Sequence, residues 1–122
     1  EISACLVGSE MCIRDREPRI PVWAAARWPA RRPLRRAARW DGLFPIEVPS
    51  PDDLATLAAE LLELRREAGL GDRPFDLVAE VEPGAPTRAW AEAGATWVFT
   101  GFGYQPRAAD VREAIEQGPV SD

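Results

Sequence analysis

A chain of 122 residues is bounded to one domain or part of one, and 46% hydrophobic against 29% charged residues is the balance of a folded globular chain. There is no histidine and all 15 basic residues are arginine, which excludes imidazole catalysis, a His-ligated zinc site, Schiff-base lysine chemistry and a Walker-type phosphate lysine. No apolar run reaches the roughly 18–20 residues of a membrane-spanning helix, and two cysteines supply neither a disulfide framework nor a closed zinc site by themselves.

The chain opens on a segment that does not read as part of a fold. Leu6 to Asp15, LVGSEMCIRD, matches one reading frame of a transposon-end sequencing adapter over ten successive residues. Residues 1–15 are therefore expected to be adapter-derived, with the domain proper spanning 16–122. Cys5, Cys12 and Met11 then carry no function. If the segment were genuine, the two cysteines would be a redox or metal pair. Glu10 and Arg14 interrupt its apolar stretch, so it does not fit a signal peptide, and a cytoplasmic location is the expectation.

From Arg16 onward, strand-like and helix-like segments alternate. Ile20–Ala26 (IPVWAAA) is a short apolar run that predicts a buried parallel strand. Residues 31–40 predict a helix with Pro33 in its first turn and Leu34, Ala37 and Ala38 on one face. Gly42 stops it, and Leu43–Val48 returns as a second strand. Ser50 then caps the best helix in the chain, with Pro51 at its first position and Asp52 and Asp53 at the positive end of its dipole. Leu54, Leu57, Ala58, Leu61, Leu64 and Ala68 mark its apolar face, and Gly69 ends it. Asp52, Asp53, Glu60, Glu63 and Glu67 read as its wet face.

Phe75–Val81 predicts a third strand, and Glu80 and Glu82, read as on it, are candidates for a buried polar role. A Pro/Gly-rich loop at 82–86 leads to a short helix over Thr87–Ala93. Thr96–Thr100 predicts a fourth strand with Trp97, Phe99 and Gly101 on one face, and Ala108–Gln117 a last helix. Four strands alternating with four helices predict an α/β fold of βαβ units with a parallel sheet. Charge is segregated along the chain. Residues 16–40 hold eight arginines against one acid (+7), and residues 41–122 hold six against sixteen (−10).

The string RIPVWAAARWPARRPLRRAARWDGLFPI resembles luciferase-like flavin-dependent oxidoreductases, in which a PVWVGG or PVWVAG strand leads to a helix ending AARWDG. SPDDLATLAAELLELR, PFDLVAE, AWAEAGATWVF and DVREAIEQGP follow in that family's order, so the resemblance covers nearly all of residues 18–120. It implies a (β/α)₈ barrel of roughly 250 residues, of which this chain is the C-terminal half, about the last four βα units. It also implies flavin mononucleotide (FMN) or the deazaflavin coenzyme F420 as cofactor and a small organic substrate.

In that setting Ala24–Arg32 is the strand-end loop, and Arg27, Arg31 and Arg32 are candidate phosphate contacts. Ala25 and Ala26 stand where the family carries a glycine-containing pair, a departure that limits close backbone approach. Asp41 and Gly42 are the other candidate cofactor residues, against the plain alternative of a turn after a helix. The Thr100–Gly103 turn lies where barrels hold phosphate. Arg35, Arg36 and Arg39 read as a solvated helix face. No catalytic residue and no metal ligand is identified.

The competing reading is a small α/β module without catalytic activity that pairs with a copy of itself, a homodimer closing a barrel from two halves. Nucleic-acid binding through the Arg/Trp-rich stretch 27–40 is opposed by the net charge of −5.

Overall fold

The structure is a computed structural model and describes residues 17–119. The adapter-like segment 1–15, with Cys5 and Cys12, lies outside the described residues. Eight elements alternate: β1 (Trp23–Arg27), α1 (Arg31–Ala37), β2 (Gly42–Ile46), α2 (Pro51–Glu67), β3 (Asp76–Val81), α3 (Arg88–Glu92), β4 (Trp97–Thr100) and α4 (Ala108–Gln117). The strands form one parallel sheet in the order β1-β2-β3-β4. The expected α/β alternation with parallel strands is present. The order never reverses, so the sheet has no switch point of the doubly wound kind.

Local chemistry explains most boundaries. Ser50 caps α2: its Oγ accepts the Asp53 amide at 3.2 Å and donates to the Asp53 carboxylate at 2.6 Å. Leu54, Leu57 and Leu61 are buried beneath this helix, each contributing about 1.5–3 kcal/mol as an upper bound. The stripe then departs from expectation. Leu64 is half-buried and Ala68 is exposed, while the position one turn beyond Leu61 is Arg65, 3% exposed.

Arg65 is satisfied entirely by main chain. Its guanidinium donates to the carbonyls of Ala38, Leu70 and Arg73 at 2.9 Å and of Trp40 at 3.3 Å. It also lies 4.4 Å from the centre of the Phe75 ring. Burial pushes its pKa down, with Arg73 adding and Asp41 opposing. An arginine stays charged at neutral pH all the same. One side chain thus ties the ends of α1 and α2 to the turn before β3.

In α1, Leu34, Ala37 and Ala38 are buried as the spacing predicts, although the helix ends at Ala37 rather than at residue 40. The β1 strand begins at Trp23 rather than Ile20. Pro21 offers no amide to a ladder, and Ile20 and Val22 remain exposed.

The sheet has two unlike faces. Registered positions on parallel strands share a face, which puts Ala24, Leu43 and Leu77 in one row. With Ala26 and Ala79 they form the core against α1 and α2, and Trp90 of α3 packs on its margin. The opposite face carries Trp23, Phe44, Val78, Trp97 and Phe99. Among the described residues, no helix is long and apolar enough to cross a membrane.

Candidate functional site

Parallel strands give the sheet two distinct ends, and the C-terminal end is where a βα protein places its chemistry. A recess of about 530 Å³ lies there, with Ile46, Glu47, Glu80, Glu82, Gly101 and Tyr104 among its walls. Glu47, just past β2, has φ 63°, a left-handed conformation that costs a non-glycine residue roughly 1–2 kcal/mol. Its carboxylate meets Arg27 at 3.4 Å. The Glu80 side chain lies over Gly101, in space a Cβ would fill.

The open face continues below this recess as an aromatic cluster. Trp23 and Trp97 have ring centres 5.7 Å apart, Trp23 and Phe99 6.2 Å, and Phe44 and Phe99 6.0 Å. Trp97 is 50% and Phe99 41% exposed. The cluster shields Val78, which is fully buried, yet its own outer surface is wet.

The candidate cofactor residues fall into two groups at opposite ends of the sheet. Ala25 lies on the open face in register with Phe44. Ala26 points into the helix-side core at 4% exposure, where its side chain meets no ligand. Arg27 is held by Glu47 and Arg31 by Glu60 at 3.4 Å. Arg32 is exposed, and no acid pairs with it among the described residues.

Asp41 and Gly42 stand at the other end, where β2 begins. Arg19 donates twice to the Asp41 carboxylate, at 2.7 and 2.8 Å, and the Val22 amide donates to it at 2.7 Å. Trp23 Nε1 crosses Gly42 to reach the Asp76 carboxylate at 3.1 Å. A Cβ on Gly42 would stand 2.8 Å from that nitrogen and 2.9 Å from the Asp76 carbonyl oxygen. Both residues are thus occupied in tying the segment before β1 to β2 and β3.

The Arg19 guanidinium holds the Asp41 carboxyl below the usual carboxylate range, with the Val22 amide assisting and burial opposing. A depressed carboxyl stabilises the fold above its unfolded pKa of about 3.9, and that stability is lost as pH falls through the lower folded value. The expected result is an acid-side loss of stability that Asp41→Asn flattens, read from urea midpoints across an acid pH series. The size is modest, because Arg19 is 56% and Asp41 31% exposed.

Two further expectations meet the structure here. Glu80 and Glu82 are exposed rather than buried, because Glu80 projects from the uncovered face and Glu82 follows the end of β3. Trp97 and Phe99 do share a face, and that face is half-open. No cluster of three or more His, Cys, Asp or Glu able to hold a metal occurs among the described residues.

The chemistry of the recess does not fit a phosphate by itself. Glu47, Glu80 and Glu82 line it, and Arg27 beside it is already engaged by Glu47. A phosphate dianion there would meet more negative than positive charge. Comparison with protein-family models, curated proteins and solved structures finds no match to the chain.

Proposed function

We propose that this chain is the C-terminal half of a luciferase-like flavin- or deazaflavin-dependent oxidoreductase barrel, and that it has no turnover alone. The observation that carries the reading is the strand order. Four parallel strands in consecutive order, with helices against one face and aromatics on the other, match half the arc of an eight-stranded βα barrel.

The motif series supports it. PVWAAAR ends in β1, AARWDG spans the return from α1 to β2, and SPDDLATLAAELLELR is the capped helix α2. FDLVAEV contains β3, and AGATWVF steps into β4. In a whole barrel the aromatic face would be interior, and its rings would exclude water from the centre. The cofactor, when bound, supplies the hydride or oxygen chemistry. The acidic recess does not by itself supply its phosphate contacts.

Fluorescence titration with FMN and with deazaflavin tests this. The isolated chain is expected to leave both signals unchanged, whereas the full-length gene product binds one of them and supports its reduction. Turnover by the isolated chain, or a full-length product indifferent to both, would contradict the proposal.

A further inference from the structure

The two edges of the sheet are complementary to each other. Among the described residues no strand pairs with the outer side of β1 or of β4, which leaves main-chain amides and carbonyls unpaired along both. Exposed apolar side chains occur at both places, with Ile20 and Val22 just before β1 and Trp97 and Phe99 on β4. Helix α4 buries none of its residues. In a βα barrel each helix covers the groove between its own strand and the next, and α4 has no next strand among the described residues.

Charge marks the same pair of edges. Helix α1 carries Arg31, Arg32, Arg35 and Arg36 with no acid, whereas α4 carries Asp110, Glu113 and Glu116 against Arg112. On α1, Arg31 is engaged by Glu60 of α2, and Arg35 lines a recess with Leu64 and Glu67 of the same helix. Arg32 and Arg36, one turn apart, lie on the solvent side of α1, opposite its buried Leu34, Ala37 and Ala38. They are exposed and make no ion pair with any described residue.

We propose that the edges and the aromatic face are covered by a second copy of this chain. The β4 edge of each copy pairs with the β1 edge of the other, and acidic α4 packs beside basic α1. Two copies supply eight parallel strands, the number at which a barrel interior is just filled by side chains. The Trp23, Phe44, Trp97 and Phe99 faces then meet as that interior. The arrangement has two-fold symmetry and uses both edges, so it closes rather than growing into a fibre. It rests on the half-barrel reading but on no cofactor.

Sedimentation equilibrium of the 122-residue chain is expected to give twice the chain mass at micromolar concentration, with dissociation promoted by salt. Arg32→Glu/Arg36→Glu sets acids of α1 against the acids of α4 at each junction and removes the net positive charge of α1, and Glu113→Arg/Glu116→Arg makes α4 basic against basic α1. Each variant alone is expected to dimerise about tenfold more weakly, or worse. Mixed, the two restore the dimer, because every junction again joins opposite charges.

All four substituted positions are exposed, so folding is preserved, and circular dichroism of each variant checks this. A monomer at all concentrations, an open-ended oligomer, or a dimer whose strength ignores both variants and their mixture would overturn the self-pairing proposal. None of these outcomes touches the family reading, which the cofactor titration of the full-length product decides independently.

Discussion

Arg65→Ala is expected to lower stability by about 3–5 kcal/mol, enough to leave a domain of ordinary stability largely unfolded. The guanidinium serves four carbonyls from two segments, and its removal leaves several of them without a donor in a place water reaches poorly. Each such orphan costs about 1–3 kcal/mol. Arg65→Lys separates charge from geometry, since one ammonium keeps the charge but cannot span carbonyls on both sides of the fork. It is expected to recover less than half of the loss. Urea denaturation of the three proteins reads this directly. Equal stability of the alanine variant and the parent would show that the carbonyls find other donors, and would remove Arg65 from the account.

Gly42→Ala carries the second large effect and bears on what the AARWDG segment does. The added methyl meets the Trp23 indole and the Asp76 carbonyl oxygen. The indole can swing away, but the carbonyl is main chain and cannot. A cost of about 1–3 kcal/mol is expected, as for other overpacked sites, together with loss of the Trp23–Asp76 hydrogen bond and a changed near-ultraviolet circular dichroism from Trp23 and Trp97. Combining the change with Trp23→Phe relieves the indole's share, so the two substitutions cost less together than their sum. A residue kept glycine for cofactor approach alone would behave otherwise: Gly42→Ala would leave stability and the aromatic spectrum intact.

The elements themselves were legible because their signals are local. Ser50, Pro51 and the spaced leucines specify α2 within a few residues, and the alternation of elements is enough to call for a parallel sheet. Arg65 was not legible. A charged residue at an apolar position looks like a gap in the stripe, and its carbonyl partners at 38, 40, 70 and 73 converge only when α1, α2 and the following turn are folded together. Trp23 and Asp76 are 53 positions apart, so their bond had no sequence signal either.

The grouping of candidate cofactor residues is more instructive. Ala25–Arg32 and Asp41–Gly42 lie within one βα unit in sequence, yet α1 carries the chain back along the strand before β2 begins. At about 3.3 Å per residue, the start of β2 lies roughly 13 Å from the end of β1. Proximity in sequence therefore placed at one site what the fold puts at two ends. The left-handed backbone at Glu47 could not be foreseen, because glutamate carries no preference for it.

The central claim is that these four βα units are half of a larger barrel. A long sequencing read through the source DNA, crossing the codon for Arg16, tests it most directly. The account predicts that the codons for residues 1–15 are absent from the genome, and that the frame upstream of Arg16 encodes further alternating strands and helices. If the upstream frame encodes no such elements, the half-barrel reading is contradicted, and codons for Glu1 to Asp15 found in the genomic DNA would overturn the adapter reading. Cys5 and Cys12 would then belong to the protein.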